Sequence, residues 1–201
     1  MSTSTKKTKI VTGICRLSYA NLLYPTTNTD GQQPRYSVSI VIPKTDTATL
    51  NAIMQATRAA YDAGSDKLRI GKTVPAYDKV KKPLRDGDEE RPDDPVYAGC
   101  YFVNASSVRK PQIIDTKLHR LDDPDAVYSG MYARVSINLY AFNAAGNRGI
   151  AAGLNNVLKV RDGERLGGAS TAEEDFAAYI EDISIADDSD PGIISDGDTP
   201  F

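Results

Sequence analysis

The segment Met131–Phe142 (MYARVSINLYAF) alternates without a break, and no other stretch of the chain restricts the fold so tightly. Met131, Ala133, Val135, Ile137, Leu139 and Ala141 fall on one face, with Tyr132, Arg134, Ser136, Asn138, Tyr140 and Phe142 on the other. Successive side chains of a strand point to opposite faces, so one side of this strand is core and the other is polar with three aromatic rings. Such a strand belongs to a sheet that buries one face. Arg35–Ile42 repeats the pattern, with Tyr36, Val38, Ile40 and Ile42 on one side and Arg35, Ser37, Ser39 and Val41 on the other. Pro43 ends it.

The remaining elements are built around these two strands. Lys9–Tyr19 is a looser strand and Tyr24–Pro34 a loop by composition. Thr45 and Asp46 are N-cap candidates for a helix running to about Ala63 and closed by Gly64, with Leu50, Ile53, Met54, Thr57 and Tyr61 as its inner stripe. Leu68–Pro95 is irregular. Tyr97–Ser106 is a third strong strand and Gln112–Asp115 a short one, while periodicity leaves Ala151–Val160 open between strand and helix. Ser170 can cap a short helix, Thr171–Tyr179, and from Glu181 onward the composition is that of a disordered tail. Five strands with one main helix predict a mainly β fold with minor α, a small closed or partly open five-stranded barrel with long loops. The expected domains are 1–172, the barrel, and 173–201, the acidic tail.

Charge divides the chain in the same place. The formal net charge is −3, from 24 Lys and Arg against 27 Asp and Glu. Ten of those acids lie between Ala172 and Phe201, a stretch with no Lys, Arg or His, which leaves the first 171 residues at 24 − 17 = +7. A basic body suits a polyanion, and an acidic tail suits a different partner. No apolar run approaches the roughly 20 residues of a membrane span, and Met1–Lys9 has no signal-peptide character. Two Cys, at 15 and 100, make neither a disulfide framework nor a zinc site by themselves.

Catalytic patterns are thin. Gly71-Lys72-Thr73 lacks the earlier glycine of a phosphate-binding loop, since position 66 is Asp. The acids Asp86, Asp88, Glu89, Glu90, Asp93 and Asp94 do not follow calcium-loop spacing and are expected to form a solvated loop. His119 is the single histidine, and no nucleophile elbow accompanies it. Neither a metal nor a cofactor is expected.

Binding patterns are richer. Tyr132, Arg134, Tyr140 and Phe142 on a polar strand face offer rings for unpaired bases and a guanidinium for phosphate. The competing reading packs those aromatics under the helix or in an oligomer interface. Arg16 and Arg35 add charge on neighbouring strands. Lys72, Lys79, Lys81, Lys82 and Arg85, with Tyr77 among them, form a basic loop, which serves either a phosphate groove or solvent. Arg109 and Lys110 follow the third strand. The last residues carry Asp196, Asp198 and a terminal Phe201, an acidic tip with one hydrophobe.

LRDGDEERPDD (84–94), YAGCYFVNASS (97–107) and RKPQIID (109–115) resemble a bacteriophage family once described only as a domain of unknown function. YSGMY (128–132), GLNNVLKV (153–160) and RDGERLGG (161–168) fit the same family, over about residues 8–170. Its members are single-stranded-DNA-binding proteins with an OB-fold, similar in plan to the acidic-tailed DNA-binding proteins of short-tailed coliphages. The resemblance implies non-catalytic, sequence-tolerant ssDNA binding in phage replication or recombination, in the cytoplasm of the infected bacterial host. It also implies replication partners such as polymerase or helicase for the tail, and it leaves a homodimer open. The rivals are a metal-dependent nuclease or recombination enzyme using the acidic loops, and a structural interaction module.

Overall fold

The computed structural model describes residues 7–27, 33–144 and 146–167. In chain order these form β1 (Lys9–Val11), β2 (Cys15–Thr26), β3 (Arg35–Pro43), α1 (Thr47–Ala63), α2 (Ser65–Leu68), β4 (Leu84–Asp86), α3 (Gly87–Glu90), β5 (Cys100–Ser107), β6 (Gln112–Ile114), β7 (Tyr132–Ala144) and β8 (Asn147–Arg161). The expected helix at Thr171–Tyr179, the boundary at residue 172 and the tail lie outside the described residues.

The alternation of β7 is realised as the sequence implies. Ala133, Val135, Ile137, Leu139 and Ala141 are buried, and the residues between them are half-buried or exposed. A strand with a buried row needs neighbours on both edges. One edge pairs antiparallel with β8, from Tyr132 opposite Arg161 to Ala144 opposite Asn147. The other edge is shared by β1, at Lys9–Val11, and by β2, at Cys15 and Arg16. From β2 the pairing passes to β3, then β5, then in parallel to β8. The five strands β7, β2, β3, β5 and β8 therefore close a ring with one parallel seam, and β1, β4 and β6 are short strands beside it.

Among the described residues eight strands form, five of them in the ring, and each departure from the expected strands has a local cause. The segment Lys9–Tyr19 is split by Thr12–Ile14, where Gly13 packs against the cap of α1 and donates its N–H to Thr49 Oγ at 2.7 Å. β2 runs on to Thr26, into residues whose composition is that of a loop, because Thr26 lies opposite Arg35 of β3. Leu84–Asp86 becomes a strand by pairing with β5 within an otherwise irregular stretch. Ala151–Val160 is a strand because β7 lies directly before it, joined by a turn at Gly146 with φ +83°. Its ambiguous period is settled by that tertiary partner.

Helix α1 begins where Asp46 accepts a hydrogen bond from the Thr49 N–H and ends at Gly64. Leu50, Ile53, Ala56, Thr57 and Ala60 are buried beneath it, while Tyr61 is half-buried. Met54, expected in that stripe, is 48% exposed. A helix turns about 100° per residue, so beside the fully buried Ile53 its neighbour Met54 points outward. Burial also pushes the Cys15 thiol up to about 11, which removes its thiolate at neutral pH.

Replacing Ile53 by Ala in this core should cost about 2–5 kcal/mol, read as a lower urea midpoint with an unchanged slope. A cost under about 1 kcal/mol would mean that α1 is not anchored as described.

Candidate nucleic-acid interface

Among the described residues, the outer surface of the ring between β2, β3 and β5 holds an open cleft. Ser37 and Ser39 of β3 stand opposite Ser106 and Asn104 of β5, a floor of short polar side chains. With Tyr19, Asn21 and Arg91 at its rim, this floor forms a cleft of about 350 Å³. Arg35 reaches its edge, where Nε donates to Ser106 Oγ at 3.1 Å.

Two local devices shape the rim. Leu17 and Leu22 of β2 are both fully buried although five residues apart, an odd separation that a regular strand cannot satisfy. The β2–β3 register slips between Ser18 and Asn21, and Tyr19 takes φ +48°. This bulge turns the Tyr19 ring outward, 58% exposed. Opposite it, the Arg91 guanidinium lies 5.1 Å from the Tyr19 ring centroid, 4.6 Å from Tyr97 and 5.2 Å from Phe102. Tyr97 and Phe102 meet edge-on at 5.1 Å, pack with Val41 as a small second core, and close one end of the cleft. The buried Tyr97 hydroxyl donates to Ser39 Oγ at 3.0 Å.

The segment that leads to Arg91 is fastened by charge. Lys44 Nζ donates to carboxylate oxygens of Asp86 and Asp88, each at 2.8 Å, and Asp88 also accepts the Gly99 N–H at 2.8 Å. Arg85 pairs with Glu90 and lies 4.8 Å from the centroid of the Phe102 ring. The Lys44 ammonium holds the Asp88 carboxyl below its ordinary value, and Arg85 does the same for Glu90. The acidic stretch 86–90 is thus largely committed to cations, and among the described residues no three His, Cys, Asp or Glu side chains gather as a metal site.

The singled-out residues are dispersed. On β7, Tyr132 is taken by its own arginines: Arg161 lies 3.5 Å and Arg16 6.0 Å from the ring centroid. Arg16 also donates to the Glu164 carbonyl at 3.0 Å. Arg134 is exposed, with Nη1 donating to the Thr12 carbonyl at 3.2 Å. Tyr140 and Phe142 are half-buried over Gly153 and Gly149 of β8, rings covering positions that lack side chains. Eight residues of extended chain separate Tyr132 from Tyr140, about 26 Å, so the two rings do not touch one another.

In the basic loop, Tyr77 packs edge-on against Tyr61 at 5.3 Å, with Arg58 and Lys82 over its ring. Lys72, Lys79 and Lys81 remain exposed, as does Arg109, whereas Lys110 pairs with Asp122 at 3.2 Å. Arg35 and Arg85 therefore come to the cleft and its closed end, while the others do not. Sequence reasoning missed Tyr19, Asn21 and Arg91; the odd Leu17–Leu22 spacing was the available signal for the first two.

Comparison with known proteins follows this geometry. The family model described as Enterobacter phage Enc34, ssDNA-binding protein matches residues 8–189. The chain belongs to this family. Among solved structures it is similar to the single-stranded DNA-binding protein from bacteriophage Enc34 in complex with ssDNA, at 24% identity and TM-score 0.67, over 80% of this chain and 90% of that one. A C-terminal truncation of the Enc34 protein gives 22% identity and TM-score 0.67, over 79% and 88%. The similarity extends to gp2.5, a single-stranded DNA-binding protein encoded by bacteriophage T7, at 15% identity and TM-score 0.56, over 82% and 98%. No curated protein sequence matches. The expected mainly β, OB-like fold class holds for this Enc34-family chain, as does the phage ssDNA-binding family expected from its motifs.

Carboxyls held below their ordinary values stabilise the fold above about pH 4 and lose that contribution as pH falls through their lower folded values. The melting temperature should therefore change little between pH 7 and 5 and drop below about pH 4. Replacing Lys44 by Met should reduce that acid-side drop, and an unchanged profile would remove the Lys44–Asp88 tie from the account.

Proposed function

We propose that the chain binds single-stranded DNA without sequence preference and lays the strand across the β2–β3–β5 cleft. The observation that carries this reading is the meeting, in one open cleft, of an outward tyrosine, two arginines and a hydroxyl and amide floor. Tyr19 stacks on a base, since every base has a π-face. Arg35 and Arg91 meet phosphates, and Asn21, Asn104 and the serines donate to backbone or base edges without demanding one sequence. Lys72, Lys79, Lys81 and Arg109 add to the positive field that attracts the polyanion. Family membership supports the reading, and the Enc34 relative is described in complex with ssDNA. No bond changes are required of such a site, so its work is binding, with no cofactor.

The proposal extends to context. A coat on single strands serves phage replication or recombination in the host cytoplasm. Residues 173–201, with their ten acids, act as a second module that opposes DNA and engages replication proteins such as a polymerase or helicase. The strand face of β7, with Tyr132, Arg134, Tyr140 and Phe142, remains the alternative DNA surface.

Titration of a fluorescent oligonucleotide at several salt concentrations tests the reading. Four to six neutralised phosphates give a log–log salt slope of about −3 to −4. Tyr19→Ala should cost about 1–3 kcal/mol of affinity, while Tyr140→Ala leaves it near the parent value. The reverse order would move the site to β7, and a slope near zero would remove the electrostatic groove altogether.

Deleting residues 181–201 removes seven acids and should raise ssDNA affinity, most at low salt where screening is weakest. Equal affinities for the full and shortened chains at low salt would end the role given to that segment in DNA binding.

A further inference from the structure

Away from the cleft, strand β1 has an edge that no described strand pairs. Thr12 donates its N–H to the Val135 carbonyl, and Leu139 donates to the Thr8 carbonyl, each at 3.0 Å. In an antiparallel ladder the bonding residues alternate, so Thr8, Ile10 and Thr12 turn their main-chain groups toward β7. Lys9 and Val11 then turn theirs the other way, and among the described residues β1 pairs with β7 alone. What lies there is a groove of about 640 Å³ between β1 and α1. On the helix side it is walled by the small residues Ala52 and Ala56, and Lys7, Lys9 and Arg58 line it with no acidic residue among its described lining. Val11 is 63% exposed.

We propose that this groove takes an acidic, extended segment of a partner protein, which adds to β1 as an edge strand. The alternating free N–H and C=O groups of Lys9 and Val11, about 6.6 Å apart, are the template for such addition. The small helix residues leave room for a strand beside them. The cations fix its sign: Arg58 is shared with Asp62, its Nε donating at 3.2 Å, so Lys7 and Lys9 supply most of the uncompensated charge. Lysine on an edge strand discourages pairing with a like strand. A two-fold pairing of β1 with a second copy sets Lys7 and Lys9 against their own counterparts, which disfavours that occupant. An acidic strand converts the same repulsion into attraction. The groove shares no residue with the β2–β3–β5 cleft, so the proposal stands or falls separately from the DNA reading.

The test uses the full chain and an end-capped, fluorescein-labelled octapeptide of alternating Glu and Val, followed by polarisation. Saturable binding is expected, with a Lys-Val octapeptide failing to bind. Lys9→Glu should weaken it at least tenfold, and Val11→Pro, which removes a groove-facing N–H and no ladder bond, should weaken it at least threefold. Both variants should bind oligo-dT as the parent does. A peptide N-methylated at alternate residues should not bind, because it cannot form the added ladder. Saturating oligo-dT should leave the bound peptide in place. Absence of binding, equal binding of the N-methylated peptide, indifference to Lys9→Glu, or displacement by oligo-dT would each overturn the proposal. So would a concentration-dependent dimer, seen by sedimentation, that Lys9→Glu abolishes.

Discussion

Burial of the inward row of β7 is the constraint that organises the ring. Ala133, Val135, Ile137, Leu139 and Ala141 are 4% exposed or less, and each full burial of a Val, Ile or Leu contributes about 1.5–3 kcal/mol. That gain is available only if other apolar side chains meet the row from across the ring and from α1. Leu17, Ile40, Ile53, Val103, Ile150 and Leu154 do so within one continuous cluster. The fit is close enough to dictate residue size at its margins. Gly64, at the end of α1, lies against Ala141, and a Cβ there would collide with it. The helix can stop where it does, against the sheet, because that position has no side chain.

The open cleft is the complement of this closure. Where β2, β3 and β5 turn inward they are apolar; outward, β3 and β5 carry Val41 and Phe102 under Tyr97 at one end, and at Ser37, Ser39, Asn104 and Ser106 side chains too short to cover the backbone. The bulge at Tyr19 lets Leu17 and Leu22 both enter the core and so leaves an outward tyrosine between them. Arg91 is held over three rings, which fixes a cation beside the polar floor without burying it in an ion pair. Of the acids near it, Asp86 and Asp88 pair with Lys44 and Glu90 pairs with Arg85, which leaves Arg91 itself to the rings.

Features repeated along one strand were legible in the sequence. β3, β7 and α1 follow from period and capping alone, with Asp46 one of two cap candidates and Gly64 the stop. Elements defined by partners were not: β4 owes its existence to pairing with β5, and β8 to following β7 through a tight turn. The candidate site was harder still. The even alternation of β7 drew attention to Tyr132, Tyr140 and Phe142, yet the fold spends Tyr132 on Arg16 and Arg161 and lays the other two over glycines. The cleft arises where alternation fails, at Ser18–Asn21, and where a loop residue, Arg91, crosses to meet rings distant in sequence. A period search is blind to both.

The parallel seam between β5 and β8 also sets an order of events during synthesis. β8 is the last strand of the ring, and it bridges β5 and β7 by occupying an edge of each. Until residues 147–161 have left the ribosome, the β7 edge and the β5 edge at Ala105 and Ser106 lack that partner, and strands this apolar are templates for pairing with other chains. The nascent chain can form α1 and the β2–β3 pair early, since these join neighbours in sequence, and β5 can add to β3 once residues 44–107 have been made. It cannot shut its core. For this architecture the hazardous interval is the time between making β7 and finishing β8, and the tight turn at Gly146 keeps that interval short.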